Sequence, residues 1–95
     1  MAKSSKRVIR IIRNAYREAG YGEDGFDKVY SEKRKNGLRR VKFWLSRDAD
    51  KVLTKEVKDR CFVFVDGLVD LSIEERAIIG APGVTATSII AWVQD

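Results

Sequence analysis

The chain has 95 residues, 44% of them hydrophobic and 35% charged, with a net charge of +5 at pH 7. This length suits a single domain, and the hydrophobic content exceeds that of disordered chains. The chain has no histidine, which removes the commonest general base, the commonest metal ligand and the Ser–His and Cys–His catalytic arrangements. The single cysteine excludes an internal disulfide and favours a reducing, cytoplasmic compartment.

No apolar run approaches the roughly 18 residues that a membrane-spanning helix needs, so no membrane partner is expected. Charges interrupt the apolar residues of the N-terminal twenty, which argues against a secretory signal. An organelle transit peptide is an alternative, because this stretch is arginine-rich and amphipathic. Glu18 and the lack of a further serine-rich stretch count against it.

Charge divides the chain into a basic part, residues 1–60, and an acidic, apolar-rich part, residues 61–95. The basic part holds 18 of the 19 Lys and Arg and 9 of the 14 Asp and Glu, a net charge of +9. The second part has Arg76 against five carboxylates, a net charge of −4. This asymmetry indicates a polyanionic partner for one part only.

The first predicted element is a helix that Ser4 or Ser5 can cap and Gly20 can end. Its apolar residues fall on one stripe at helical spacing, namely Val8, Ile9, Ile12, Ala15, Tyr16 and Ala19. A second stripe on the other side is cationic and contains Lys3, Lys6, Arg10, Arg13 and Arg17. The two stripes predict a basic amphipathic helix.

A hairpin is predicted next, with strands at about 26–33 and 38–46. Val41, Phe43 and Leu45 alternate with polar residues and Trp44, as in a strand with one buried face. Asn36-Gly37 is a strong turn signal because both residues tolerate positive φ. A three-residue loop would place Val29 opposite Phe43, whereas a two-residue turn would place Tyr30 there, and the sequence leaves both registers open.

Asp48 can cap a second helix that reaches about Arg60. The apolar run CFVFV then predicts a buried strand at about 61–65, which could pair with 68–71 across the turn signal Asp66-Gly67. Continuation of the helix through Phe64 is the alternative, because Val57, Cys61, Phe64 and Leu68 also keep helical spacing.

Two short C-terminal helices complete the prediction. Ser72-Ile-Glu-Glu75 reads as a capping box, which predicts a helix from Ile73 to about Ile79. A terminal helix is predicted from about Ala86, with Ile89, Ile90, Trp92 and Val93 as docking residues. The segment GAPGVTATSIIAWVQ resembles the turn and second helix of a helix-turn-helix, but its second helix would carry no Lys or Arg.

The fold expected is one small α+β domain, residues 1–95. The N-terminal basic amphipathic helix would pack on a small antiparallel sheet, made of a hairpin at about 26–46 and a strand at about 61–65. Short C-terminal helices would follow.

No catalytic residue, metal ligand or cofactor is predicted, and the chain is not expected to be an enzyme. Glu56-Val57-Lys58, with Asp48 or Asp50 upstream, has the composition of a metal-dependent nuclease motif. That motif needs neighbouring strands, and Glu56 is expected on a helix. Cys61, inside an apolar run, is expected to be a small buried hydrophobic residue.

The function expected is non-enzymatic binding of DNA or RNA, mainly through phosphates and with weak sequence selectivity. The first helix and the hairpin would form one positive surface, with Trp44 available for stacking. Its residues would be Lys6, Arg7, Arg10, Arg13, Arg17, Lys33, Arg34, Lys35, Arg39, Arg40, Lys42 and Trp44. The alternative is a small regulator or inhibitor that binds an acidic protein surface, and the C-terminal segment is expected to serve self-association as a homodimer or a second partner.

Overall fold

The computed structural model describes residues 4–21, 26–45, 53–77, 79–83 and 85–94. Within these residues, two helices and four strands follow one another in the order α–β–β–α–β–β. Their bounds are α1 Ser5–Glu18, β1 Phe26–Lys35, β2 Leu38–Leu45, α2 Lys55–Phe64, β3 Leu68–Ala77 and β4 Thr85–Gln94. The protein is a small, compact α+β domain with one antiparallel sheet.

The four strands lie in the order β1-β2-β4-β3, and every neighbouring pair is antiparallel. β1 and β2 form the predicted hairpin, and a two-residue turn at Asn36-Gly37 joins them with φ values of 53° and 78°. This turn sets the register that places Tyr30 opposite Phe43. The last strand in the chain, β4, therefore lies inside the sheet between β2 and β3.

Both helices pack on one face of the sheet. The core combines apolar residues of α1 and α2 with inward residues of the three strands β2, β3 and β4. Its fully buried members include Val8, Ile12, Tyr16, Val41, Phe43, Val57, Cys61, Leu71, Ile89 and Val93. Successive side chains of a strand point to opposite faces of the sheet. The strand residues that alternate with these buried residues therefore lie on the face turned away from α1 and α2, which we call the far face.

Local chemistry explains where each helix begins and ends. The Ser4 hydroxyl accepts a hydrogen bond from the Arg7 amide at the start of α1, and Gly20, with φ +91°, follows its last turn. At the start of α2 the Thr54 hydroxyl accepts from the Val57 amide. The prediction that Asp48 caps this helix is wrong, because Leu53 and Thr54 precede its first residue, Lys55; Asp48 itself lies outside the described residues.

The prediction of a strand at about 61–65 is wrong, and the helical alternative is correct. α2 continues through Phe64, and Val65 caps its C-terminal end. Val57, Cys61 and Val65 are buried because they recur at steps of four and face the sheet. The β-favouring residues between them, Phe62 and Val63, remain exposed.

The two predicted C-terminal helices are also wrong, because residues 73–77 and 85–94 are strands. In β4 the buried side chains of Ile89, Ala91 and Val93 face the helices, while Ile90 and Trp92 lie on the far face. A strand that carries apolar residues on both faces reads as a continuous apolar run, which sequence periodicity cannot distinguish from a helix. The resemblance to a helix-turn-helix ends here, since its second helix is absent from the described segment 85–94.

Across the described residues, neither helix combines the length and the hydropathy required to cross a membrane.

Candidate nucleic-acid interface

The outward side of α1 carries a dense row of cations, here called the α1 ridge. The helix has 14 residues and buries Val8, Ile12 and Tyr16 against the sheet. The residues on the opposite side of the helix therefore face outward. The α1 ridge consists of Lys6, Arg7, Arg10, Arg13 and Arg17, of which only Arg13 is partly buried. Glu18, 3.9 Å from Arg17, is the sole acid within α1, so the ridge keeps a strong positive charge.

A groove runs along each side of the α1 ridge. The groove between α1 and α2 has a volume of about 630 Å³ and is lined by Arg7, Arg10, Arg17, Arg60 and Phe64 together with Ile11, Asn14, Ala15 and Glu18. We call it the α1–α2 groove. A second groove of about 620 Å³ lies on the side of β1 and is lined by Lys6, Arg13 and Tyr30, among others. Guanidinium groups and an aromatic ring thus occur together on both sides of the ridge.

The sheet separates the α1 ridge from most cations of the hairpin. Lys33 pairs with Arg40 and Ser31 with Lys42, and these positions alternate with the buried Val41 and Phe43. The cations Lys33, Lys35, Arg40 and Lys42 therefore lie on the far face, together with Trp44. The single positive surface expected for α1 and the hairpin is consequently divided into two, on opposite sides of the molecule.

Two cations of the far face, Lys42 and Arg76, contact the carboxylate of Glu74 on the same face. Lys42 is only 7% exposed, and its ammonium lies 4.8 Å from the centre of the Trp44 ring and 3.9 Å from the Glu74 carboxylate. Glu74 also accepts a hydrogen bond from Arg76. That bond, with the charges of Arg76, Lys42 and Arg40, lowers the pKa of Glu74. Acidic and basic side chains thus neutralise each other here.

Arg39 lies on the helix side and is buried, with 4% of its surface exposed. Its guanidinium approaches the Glu32 carboxylate at 3.3 Å, and the same carboxylate oxygen accepts a hydrogen bond from the Ser5 hydroxyl. The Ser5 bond and the charge of Arg39 lower the pKa of Glu32. Arg39 therefore links β2 to β1 through Glu32, and Ser5 links the start of α1 to the same carboxylate. Arg34, which pairs with Arg39 across the hairpin, is exposed.

Sequence reasoning missed two residues of the helix side, Arg60 and Phe64. Arg60 was expected on the second helix and Phe64 in a strand or, as the alternative, on that helix, and only the packing of α2 beside α1 brings them to the α1–α2 groove. The two-residue turn places Tyr30 opposite the buried Phe43, on the helix side of the sheet. No spacing within the chain signals these positions, because they depend on contacts between distant elements.

The residues considered for catalysis do not assemble a reactive site in the described part of the chain. Glu56 and Lys58 lie on α2, and Glu56 pairs with Arg60 at 3.7 Å; Asp48 and Asp50 lie outside the described residues. No three Cys, Asp or Glu side chains of the described residues cluster as a metal site. Cys61 is fully buried, and burial raises the pKa of its thiol to about 12, which suppresses the reactive thiolate.

Comparisons with protein-family models, with curated proteins and with solved structures gave no match for this chain. Its own surface chemistry is therefore the basis for assigning a function.

Proposed function

We propose that the protein is a small non-enzymatic nucleic-acid-binding protein that holds the phosphate backbone of DNA or RNA on the α1 ridge. Contact through phosphates carries little sequence information, so sequence selectivity would be weak. The far face would take no direct part. In this proposal the cations of α1 bind the ligand, whereas the buried Arg39 and Lys42 stabilise the fold.

The observation that supports the proposal most is the one-sided charge of α1. A row of like charges at steps of three and four destabilises a helix, so solubility or stability alone is a poor reason for it. Four of the five cations are arginines, whose planar guanidinium makes paired hydrogen bonds to phosphate. The Lys and Arg side chains also project from a helix fixed by its buried stripe, which keeps their spacing constant.

The proposal predicts binding of mixed-sequence oligonucleotides that weakens steeply with salt. Neutralisation of about four phosphates of a single strand would lower the affinity roughly fifty-fold between about 50 and 200 mM salt. Fluorescence anisotropy of a labelled oligonucleotide at several salt concentrations measures this slope. Absence of binding at low salt would refute the proposal.

Charge-reversal variants on the two sides of the sheet show which side binds the oligonucleotide. The double variant Lys6→Glu, Arg10→Glu alters two exposed cations of the α1 ridge and is expected to lower affinity at least tenfold. Lys33→Glu, Lys35→Glu is the matched control, because it makes the same change in net charge at two exposed residues of the far face. A larger loss in the control than in the α1 variant would move the site to the far face.

Intrinsic fluorescence gives an independent reading of which side is occupied. The two tryptophans of the chain, Trp44 and Trp92, both lie on the far face. Occupation of the α1 ridge should leave their emission nearly unchanged, whereas bases stacked on the far face would quench it. Strong quenching would therefore contradict the placement of the site.

The competing proposal is a regulator that uses the same basic ridge on an acidic protein surface. Polyglutamate of matched length and charge serves as its probe in a competition experiment. Displacement of the oligonucleotide by equal concentrations of polyglutamate would favour this alternative. A cytoplasmic location stays a prediction that rests on the single cysteine.

A further inference from the structure

We propose that the α1–α2 groove holds an unpaired base, with Phe64 as its stacking surface and the surrounding arginines on the flanking phosphates, so that the preferred ligand is a single strand. This inference rests on the proposed function and names the form of nucleic acid that the same side of the molecule takes.

The position of Phe64 carries the inference. α2 ends at this residue, and Phe64 is 58% exposed although Val57 and Cys61 of the same helix are fully buried. The ring lines a concave site rather than a flat surface, and it shares that site with the apolar side chain of Ile11. An aromatic ring in a groove offers a flat apolar surface of the kind on which nucleic-acid bases stack.

The charges around Phe64 specify the rest of the ligand. Arg7, Arg10 and Arg17 enter the groove from α1 and Arg60 enters from α2, against the single carboxylate of Glu18 that lines the groove. Glu56 lies 3.7 Å from Arg60 outside this lining and balances part of its charge. The groove is therefore net positive around an apolar centre, which matches a base flanked by phosphates.

A single strand can place a base on Phe64 and phosphates on the surrounding arginines at the same time. In a duplex the bases are stacked on one another, and only phosphates would reach the arginines unless a base were extruded at additional free-energy cost. In a single strand each base has an accessible face, and base–aromatic stacking tolerates any sequence. The weak sequence selectivity expected from phosphate contacts is thus preserved.

The test compares a mixed-sequence single strand with an abasic strand of the same length, which has the phosphates but lacks the bases. The wild-type protein is expected to bind the base-bearing strand at least about fivefold more tightly than the abasic one. Phe64→Leu should remove this preference while it retains binding of the abasic strand. Phe62→Leu is the matched control, because Phe62 lies on the same helix, is 41% exposed and does not line the groove.

A second pair of variants tests whether the arginines of the groove bind the flanking phosphates. Arg60→Gln removes a groove cation and should weaken binding of both strands, whereas Lys58→Gln, an exposed cation of α2 outside the groove lining, should weaken it less. Equal affinity of the wild type for the two strands, or equal effects of Phe64→Leu and Phe62→Leu, would overturn the inference. The proposed function survives that outcome if the Lys6→Glu, Arg10→Glu variant still loses affinity, whereas failure of both strands to bind would defeat both.

Discussion

At the scale of single residues, the burial of two cations separates charges that stabilise the fold from charges that are available to a ligand. Arg39 and Lys42 belong to the same cationic run of the hairpin as Lys33 and Lys35, yet the first two are buried and the last two exposed. Each buried cation lies within 4.0 Å of a carboxylate, Glu32 or Glu74. A count of positive residues along the chain therefore overstates the charge that this hairpin offers to phosphates.

The contact of Glu32 with Ser5 and Arg39 predicts a pH-dependent contribution to stability. Because the folded protein lowers the pKa of Glu32, this stability is present above the unfolded pKa of the carboxyl and is lost as the pH falls through the folded value. Glu32→Gln should lower the free energy of unfolding by about 1 kcal/mol at pH 7, a value kept small because the carboxylate is partly exposed.

Urea unfolding at pH 7 and at pH 3 measures this effect. The difference between the wild type and Glu32→Gln should be smaller at pH 3 than at pH 7, because acid progressively protonates the wild-type carboxyl and removes the contribution of its charge. Glu75→Gln serves as the control, because Glu75 is exposed on the edge strand β3. A difference that stays constant across this pH range would contradict a role for the charge of Glu32.

At the scale of elements, sequence reasoning succeeded where one local signal was decisive. The apolar stripe and the capping serine located α1, and Asn36-Gly37 located the hairpin, because periodicity and positive φ act within a few residues. β3 and β4 were missed for the opposite reason. Ser72-Ile-Glu-Glu75 can cap a helix in isolation, but residue 73 pairs with Ile89 in a sheet that local propensity does not reveal.

In the candidate site too, the sequence predicted what lies within one element and missed what depends on contacts between elements. The cations of the α1 ridge could be predicted because one helix carries all of them. The α1–α2 groove could not, because Arg60 and Phe64 come from another element whose placement depends on the packing of the core.

The hairpin turn gives a prediction at the scale of an element. Gly37 has φ +78°, a conformation that costs a residue with a Cβ about 1 kcal/mol or more, although the space around it is open. Gly37→Ala should therefore lower the free energy of unfolding by about 1 kcal/mol, as measured by urea denaturation. Asn36→Gly is the control and should change it less, since glycine also accepts positive φ.

At the scale of the whole molecule, the strand order makes β4 the element on which the sheet depends. β4 pairs with β2 along one edge and with β3 along the other, and it contributes Ile89, Ala91 and Val93 to the core. The prediction of a terminal docking helix in this segment is wrong, because residues 85–94 form a strand with both edges paired. Homodimer formation stays a prediction.

A chain that stops after Gly83 tests this role. Without β4, the hairpin and β3 have no common neighbour, and the helices lose much of the surface on which they pack. The truncated chain is expected to lose its cooperative urea transition and its near-ultraviolet circular dichroism. Retention of both signals would show that the segment is dispensable, as a peripheral docking helix would be.

The internal position of β4 also has a consequence for the timing of folding during synthesis. Residues 85–94 emerge from the ribosome after the other three strands that the structure describes, so β2 and β3 cannot be joined until β4 is available. Until then α1 and the β1–β2 hairpin can form only local structure, and β2 exposes the edge that β4 later pairs with. Such edges recruit other strands, so the chain is open to misassembly until β4 pairs with both β2 and β3.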